Sequence, residues 1–305
     1  MTARITLALL AIIPAAMTYP WHTTPQKWIL GIAVAVVLLV FAWWRGLFFT
    51  TMVSRRFAVW RRNRRGATRP AAGQVTVVLE ADELPYDALP LVASYVDRYG
   101  VRCDSVRVTE RRLDGTRSAW VSVTVAAASN LAALQARSSE LPLADTAEKV
   151  ARRLADQLRE AGVPVMVTED AAAPMSADAR EKWRAVVDGD GYLTAYGLPA
   201  DQRLPECLGE LAATTELWTV LEFAPGATIS AACAVRTANA PAAAAVAGLA
   251  RESGRQGPLL AAMAPASAGG LGTRPGVLTA ELLEELSGLG AGTAVESAAG
   301  AQTAE

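Results

Sequence analysis

The hydrophobic pattern of the chain opens with two apolar runs near its N-terminus. The first, Ile5 to Tyr19, contains Pro14, and the second, Trp28 to Trp44, continues for seventeen residues without a charge. Crossing the hydrocarbon core of a bilayer takes about 20 apolar residues, with a range of about 17 to 25. The pattern therefore predicts a transmembrane hairpin of two helices over residues 1–50. A cleaved signal peptide is the alternative for the first run, but the small residues after it do not form a clean cleavage site.

Aromatic and basic residues flank these runs. Aromatic rings favour the headgroup level of a membrane, and those expected there are Tyr19, Trp21, Trp28, Trp43 and Trp44. Eight arginines and no acidic residue lie between Arg45 and Arg69. Basic residues beside a span are retained in the cytoplasm and attract anionic lipid. The residues given this topology and lipid role are Arg45, Arg55, Arg56, Arg61, Arg62, Arg64 and Arg65. We therefore expect a multi-pass protein of the inner (cytoplasmic) membrane with two transmembrane helices and both termini in the cytosol.

Residues 51–73 form the arginine-rich juxtamembrane segment and linker of this scheme. The stretch RRFAVWRRNRR, which begins at Arg55, could form a short helix. Phe57 and Trp60 are three residues apart, so a helix would place both rings on one face. That face would lie on the bilayer or on a neighbouring helix.

Alternating and helical patterns then define a cytosolic body over residues 74–287. Valine-rich alternation predicts strands at Arg102–Glu110 and Ser118–Val125, joined by an Asp-Gly turn into an antiparallel hairpin. The valine face of the hairpin is expected to pack inward and the opposite face to be partly wet. Apolar residues repeat with helical spacing from Leu143 to Ala161, which predicts an amphipathic helix. The fold class is thus α/β, with a mixed sheet and flanking helices, followed by a flexible tail at residues 288–305.

Two further elements follow from shorter patterns. Leu84 to Tyr99 is expected to be a helix that ends at Gly100. Leu259 to Met263 is short and apolar, which favours a strand.

Composition removes several classes of function. The net charge of −1 leaves about −9 on the chain outside the arginine cluster, which disfavours nucleic acid as a partner of the body. His22 is the only histidine, so the body can build neither a serine–histidine or cysteine–histidine centre nor a histidine metal cluster. Three widely spaced cysteines without a CxxC motif indicate reduced, packed thiols.

Two short motifs remain as candidate chemistry. Asp188-Gly-Asp190 matches the D-x-D arrangement that holds a divalent ion on a sugar diphosphate, but it is also a good turn sequence. Without a third acidic residue we expect a turn, and Asp188 and Asp190 stay weak metal candidates. The glycine-rich stretch Gly269–Gly276 fails as a dinucleotide loop because Pro275 replaces the third glycine, and no P-loop motif is present.

The order of these elements resembles the EccE family of the type VII (ESX) secretion system. The resemblance covers roughly Ile5 to Arg236 and is strongest in WVSVTVAAASNLAALQARS (Trp120–Ser138) and TAEKVARRLADQLREAG (Thr146–Gly162). It implies a subunit of the inner-membrane complex that steadies the partner subunits EccB, EccC and EccD, while membrane lipids are the partner expected from the arginine cluster. The compact length suggests the paralogue tied to iron acquisition. The resemblance supplies no catalytic residue and no cofactor.

Two functions therefore stay open. The first is a non-enzymatic scaffold of the secretion complex that supports protein export. The second is a membrane-tethered, glycosyltransferase-like enzyme that would use Asp188 and Asp190 to bind a metal and a sugar nucleotide.

Overall fold

The computed structural model describes residues 2–20, 23–41, 43–44, 47–65, 73–136, 142–212, 214–241, 244, 249 and 251–289. The chain divides into two compact units, Met1–Gly66 and Ala67–Glu305. Each unit is described by itself.

The N-terminal unit is mainly helical. Its elements are α1 (Thr2–Met17), α2 (Thr24–Phe41), β1 (Trp43–Trp44), β2 (Leu47–Phe48) and α3 (Phe49–Arg65). Helix α1 packs against α2, and the buried residues among the described side chains of this unit are Ala8, Ala15 and Ala33. Small side chains at these positions let the two helix backbones approach closely. After α2 the chain folds back, because β1 and β2 pair antiparallel.

The predicted transmembrane hairpin is wrong. Among the described residues, no helix combines the length with the apolar character that crossing a bilayer requires. Helix α1 has 16 residues and contains Pro14, whereas α2 has 18 residues and begins with the polar segment Thr24-Pro-Gln-Lys27. At a rise of 1.5 Å per residue they measure about 24 and 27 Å, against a hydrocarbon core of about 30 Å. The two-span topology that was predicted from this hairpin is therefore also unsupported.

The second unit is built on one large sheet. Its strands are β3 (Gln74–Ala81), β4 (Asp97–Arg98), β5 (Val101–Leu113), β6 (Thr116–Ala126), β7 (Met166–Thr168), β8 (Arg180–Glu181), β9 (Val186–Asp188), β10 (Gly191–Gly197), β11 (Glu216–Ala224), β12 (Thr228–Thr237) and β13 (Gly276–Val277). Its helices are α4 (Leu89–Ser94), α5 (Leu131–Gln135), α6 (Leu143–Glu160), α7 (Leu204–Leu211) and α8 (Gln256–Met263). Residues 280–289 are also helical.

The main path of the sheet runs β7-β3-β6-β5-β11-β12-β10-β9-β8. The sheet, predicted to be mixed, has antiparallel pairings throughout its described strands. The predicted hairpin is confirmed as β5–β6, which pair from Cys103 to Leu113. Its turn holds Asp114 and Gly115 at φ values of 48° and 84°, a left-handed conformation that suits this residue pair.

Helices cover one face of the sheet. Helix α6 contacts β3 and β6, and the predicted stripe of apolar residues on α6 is confirmed as its buried face. That stripe packs into a core with Leu79, Val121 and Val108 of the sheet. Leucines of α7 and of residues 280–289 complete this core: Leu204, Leu208, Leu211, Leu282 and Leu286.

The opposite face of the sheet is buried as well, so the expectation of a partly wet face is wrong. Trp120, Ser122 and Thr124 alternate with the inward valines of β6 and are nevertheless buried. Helix α8 and the loop residues 171–179 pack over this second core. The sheet is therefore covered on both sides.

The predicted strand at Leu259–Met263 is wrong, because this apolar segment belongs to helix α8. The first residue of α8, Gln256, explains its position. The Gln256 side chain donates from Nε2 to the Ala195 carbonyl at 3.0 Å and accepts from the Ala195 N–H at 2.7 Å. This single side chain satisfies both backbone groups of a strand residue and anchors the helix on β10.

The predicted helix at Leu84–Tyr99 is also wrong in its length. A 3₁₀ turn at Tyr86–Ala88 leads into the six-residue helix α4, and the chain then enters β4. Tyr99 and Gly100 follow at φ values of 55° and 69°. Two successive left-handed residues reverse the chain and let β4 pair with β5.

Candidate functional site

The most distinctive surface of the N-terminal unit is the amphipathic helix α3. Val53, Phe57 and Trp60 stand four and three residues apart, so they share one helical face. All three side chains are exposed, Phe57 by 60%. The Phe57 and Trp60 rings stack with centroids 5.4 Å apart, which confirms that they lie on one face. The helix therefore presents an exposed apolar stripe on this unit.

Arginines surround this stripe. Arg55, Arg56, Arg61, Arg62 and Arg64 lie on α3, and its first turn contains no acidic residue. The guanidinium of Arg64 lies 4.1 Å from the centre of the Trp60 ring, a cation–π contact. Arg65 ends the helix, and Arg45 lies outside the described residues. A basic face beside an exposed aromatic stripe is the arrangement of helices that lie on anionic membrane surfaces.

The helical pair α1–α2 exposes further apolar area. Tyr19 and Trp28, two of the aromatic residues predicted at a membrane interface, are among its most exposed side chains. The backbones of Trp43 and Trp44 form β1, and Trp21 lies outside the described residues. Other exposed apolar side chains of the pair are Leu9, Leu10, Ile12, Ile13, Met17, Ile29, Ile32 and Val34. So much exposed apolar surface on one unit marks a contact with a partner protein or with lipid.

The D-x-D motif spans the last residue of β9 and the turn that leads into β10. Asp188 ends β9, and its Oδ1 accepts a hydrogen bond from the backbone N–H of Asp190 at 3.1 Å. The same Oδ1 is 2.6 Å from Nη1 of Arg236, and the Asp188 side chain is 1% exposed. Arg236 also reaches Glu216 at 3.0 Å. No group of three potential metal ligands occurs among the described residues. The Asp188 carboxylate is engaged within the protein.

We expect Asp188→Asn to make the folded protein less stable. The substitution takes the charge from a buried ion pair and should lower the free energy of unfolding by about 1–3 kcal/mol. Urea denaturation of the full-length chain measures this change. Asp190→Asn is the matched control, because Asp190 is exposed and should change stability by less than about 0.5 kcal/mol. Equal stability of both variants would contradict a structural role for Asp188.

A second buried ion pair, which the sequence analysis did not predict, attaches α8 and the following loop to the sheet. Arg107 and Glu222 are direct cross-strand neighbours on β5 and β11. Their side chains are 2% and 9% exposed, with Nη2 of Arg107 2.5 Å from Oε2 of Glu222. The available signal for this pair was an arginine and a glutamate that each lie between apolar residues, in Val106-Arg107-Val108 and Leu221-Glu222-Phe223.

Arg107 also holds the C-terminal end of α8 and the loop that follows it. Its guanidinium donates to the carbonyl oxygens of Ala262, Ser267 and Gly269 at 2.6, 3.1 and 2.7 Å. Glu222 accepts from the backbone N–H of Leu271 through its other oxygen, at 3.3 Å. The glycine-rich stretch that begins at Gly269 is thus a loop fastened to the sheet.

The thiols of the second unit are packed groups. All three cysteines are free, and Cys103 and Cys233 are buried. Burial raises the pKa of the Cys103 thiol to about 12 and also raises the pKa of Cys233. Burial raises the pKa of Cys207 as well. Because the thiolate is the nucleophilic form, burial disfavours the reactive state of these thiols.

Comparison with known proteins identifies the class of this chain. The family model EccE, described as a type VII ESX secretion system translocon, matches residues 114–198. That range runs from the β5–β6 turn through α6 and β10. It includes the whole of both stretches that carry the sequence resemblance, Trp120–Ser138 and Thr146–Gly162.

Curated relatives match almost the whole chain. ESX-3 secretion system protein EccE3 of Mycolicibacterium smegmatis (strain ATCC 700084 / mc(2)155) is 47% identical over 274 residues, which are 88% of this chain and 89% of that protein. ESX-3 secretion system protein EccE3 of Mycobacterium tuberculosis (strain ATCC 25618 / H37Rv) is 42% identical over 281 residues, 87% and 85% of the two chains. The corresponding protein of strain CDC 1551 / Oshkosh has the same identity and coverage.

Proposed function

We propose that this chain, which belongs to the EccE family of type VII ESX secretion components, is a non-enzymatic structural subunit of the secretion complex. The observation that carries the proposal is the exposed apolar surface of α1, α2 and α3, which requires a covering partner. The family membership supports other secretion subunits as that partner. The partners implied by the resemblance are EccB, EccC and EccD.

The chemistry of the second unit supports a structural role. Two ion pairs hold charged side chains inside this unit, Arg107 with Glu222 and Arg236 with Asp188. The D-x-D aspartate that a metal-dependent transferase would need is therefore occupied by a guanidinium. An enzyme instead keeps its reactive groups available in a cleft.

Helix α3 supports a position at the membrane surface. Its apolar stripe can enter the headgroup region while the surrounding arginines meet anionic lipid. Residues Arg55, Arg56, Arg61, Arg62, Arg64 and Arg65 are the proposed lipid contacts on this helix. Within this proposal the subunit lies against the inner membrane and stabilises the complex that exports protein.

Affinity purification tests the proposed function. Full-length tagged chain, extracted in mild detergent from membranes of its native host, should co-purify with other ESX subunits. Replacing the exposed residues Leu10 and Ile13 by Gln should reduce this recovery at least tenfold, because polar groups on the contact surface remain unsatisfied when it is covered. Mass spectrometry of the purified material measures the recovery.

The matched control places the same substitutions on the other unit. Met166→Gln with Val167→Gln also changes two exposed apolar residues and should leave recovery within twofold. A wild-type chain that purifies without any secretion subunit would refute the proposal. Binding of a sugar nucleotide that Asp188→Asn abolishes would favour the transferase instead.

A further inference from the structure

One exposed aromatic residue of the second unit lies between two arginines. Tyr99 is 46% exposed at the tip of the β4–β5 connection. The guanidinium carbon of Arg98 lies 5.1 Å from the centre of the Tyr99 ring, and that of Arg153 on α6 lies 4.8 Å from it. Both distances are within the range of cation–π contacts.

Hydrogen bonds and ring contacts keep Tyr99 in place. Gln157 of α6 donates to the Tyr99 hydroxyl at 3.1 Å and accepts from the hydroxyl of the buried Tyr95 at 2.8 Å. The Tyr95 and Tyr99 rings meet edge to face at 6.1 Å. Tyr99 also has a φ value of 55°, a conformation that non-glycine residues seldom adopt. A large exposed ring is therefore held rigidly in this position.

The two arginines that flank Tyr99 differ in their ion pairing from the other basic residues of α6. Lys149, Arg152 and Arg159 form ion pairs with Asp145, Glu148 and Asp156 of the same helix. Arg153 has Lys149 four residues before it and Gln157 four residues after it, and the acid three residues after it, Asp156, pairs with Arg159 instead. Within the part of the chain that the structure describes, no carboxylate lies within ion-pair distance of Arg98 or Arg153.

A groove continues from the Tyr99 ring and Arg153. It has a volume of about 180 Å³ and is lined by Tyr99, Val101, Thr146, Lys149, Val150 and Arg153. Its aliphatic floor and cationic rim can accept a side chain that carries a carboxylate at the end of an apolar stem. An arginine binds such a carboxylate through two parallel hydrogen bonds.

We propose that the platform formed by Tyr99, Arg98 and Arg153 is a docking site for an acidic segment of a partner protein. This partner belongs to the secretion apparatus, so the inference rests on the proposed function. Charge complementarity selects the occupant. Asp97, Asp145 and Glu148 lie among the cations of this surface, and these acids repel a uniformly anionic lipid plane. A protein segment can instead place single carboxylates opposite Arg98 and Arg153.

Photo-crosslinking in the native host tests the site. Tyr99 of the full-length chain is replaced by p-benzoylphenylalanine, an aromatic residue of similar shape, and the captured peptide is identified by mass spectrometry. We expect one segment with an excess of Asp and Glu from another secretion subunit. Adding Arg153→Glu should lower the yield at least fivefold because its new carboxylate repels the segment. Arg152→Glu, one residue earlier on the same helix, should keep the yield within twofold.

Several results would overturn the docking site. These are capture of lipid alone, capture of a segment without acidic excess, equal losses with both Glu variants, and the absence of any crosslink. Capture of the same segment at equal yield from Met166, an exposed position on β7, would also overturn it. An acidic segment from a protein outside the secretion apparatus would uphold the docking chemistry and contradict the proposed function. Intact co-purification without a crosslink would contradict the docking site alone.

Discussion

Glu222→Leu is expected to lower the free energy of unfolding by about 3–5 kcal/mol, because it leaves the buried guanidinium of Arg107 without a counter-charge. The loss is this large since Arg107 is only 2% exposed and cannot regain water. The backbone N–H of Leu271 also loses its acceptor. Urea denaturation of the full-length chain, followed by tryptophan fluorescence, measures the change. Trp218 is a suitable reporter, because it is buried and stacks on Trp120 with ring centroids 5.7 Å apart.

Two controls separate this effect from general damage. The double variant Arg107→Met, Glu222→Leu removes both charges and should be more stable than Glu222→Leu alone. Arg117→Met breaks a pair with Glu83 at the surface, where 36% and 58% of the side chains are exposed, and should cost at most about 1 kcal/mol. If Glu222→Leu lowers the free energy of unfolding no more than Arg117→Met does, the buried pair does not hold α8 and the following loop on the sheet.

The second large effect concerns the membrane surface. Replacing Arg55, Arg56, Arg61, Arg62 and Arg64 together by Gln should weaken binding to anionic vesicles at least a hundredfold. Each basic residue near such a surface contributes about 1 kcal/mol, and the five together exceed the 2.8 kcal/mol that corresponds to this factor. Flotation of the full-length chain with vesicles of phosphatidylserine and phosphatidylcholine measures the affinity. The apolar stripe of α3 remains, so weak binding to pure phosphatidylcholine should not change.

An equal number of charges on the second unit provides the control. Neutralising Arg98, Arg102, Lys149, Arg152 and Arg153 removes five cations from a surface where acids are interspersed, and vesicle affinity should stay within threefold. If this variant loses as much affinity as the α3 variant, binding follows net charge alone. If the α3 variant still binds normally at low salt, the arginines of α3 are not the lipid contact.

Sequence patterns predicted those elements whose signal is local. The β5–β6 hairpin has strict alternation and an Asp-Gly turn, and α6 has an apolar stripe with helical spacing. Helix α3 was also expected, because the spacing of Phe57 and Trp60 is meaningful only on a helix. In each case the residues that decide the structure are neighbours in the chain.

Two of the wrong predictions concern elements whose structure depends on residues that are distant in the chain. Helix α8 is short and apolar, and its position depends on a contact between Gln256 and Ala195, 61 residues apart. The partly wet face predicted for β6 was wrong because α8 and the loop residues 171–179 pack over the second core, which no pattern within β6 could reveal. The transmembrane hairpin was predicted from a count of apolar residues, whereas α1 contains Pro14 and α2 begins with a polar turn at Thr24, so no described helix is long and apolar enough to cross a bilayer. The docking platform likewise joins Tyr99 to α6 through tertiary contacts.

The attachment of the glycine-rich loop to Arg107 has a consequence for the order in which the body assembles. The carbonyls of Ala262 and Gly269 lie 155 and 162 residues from their donor along the chain. Contacts of such high sequence separation form only after the intervening polypeptide has been organised. During synthesis, this segment therefore stays unanchored until strands β5 and β11 are paired, and a nascent chain truncated before Ala262 leaves a charged pair at the middle of its sheet open to water.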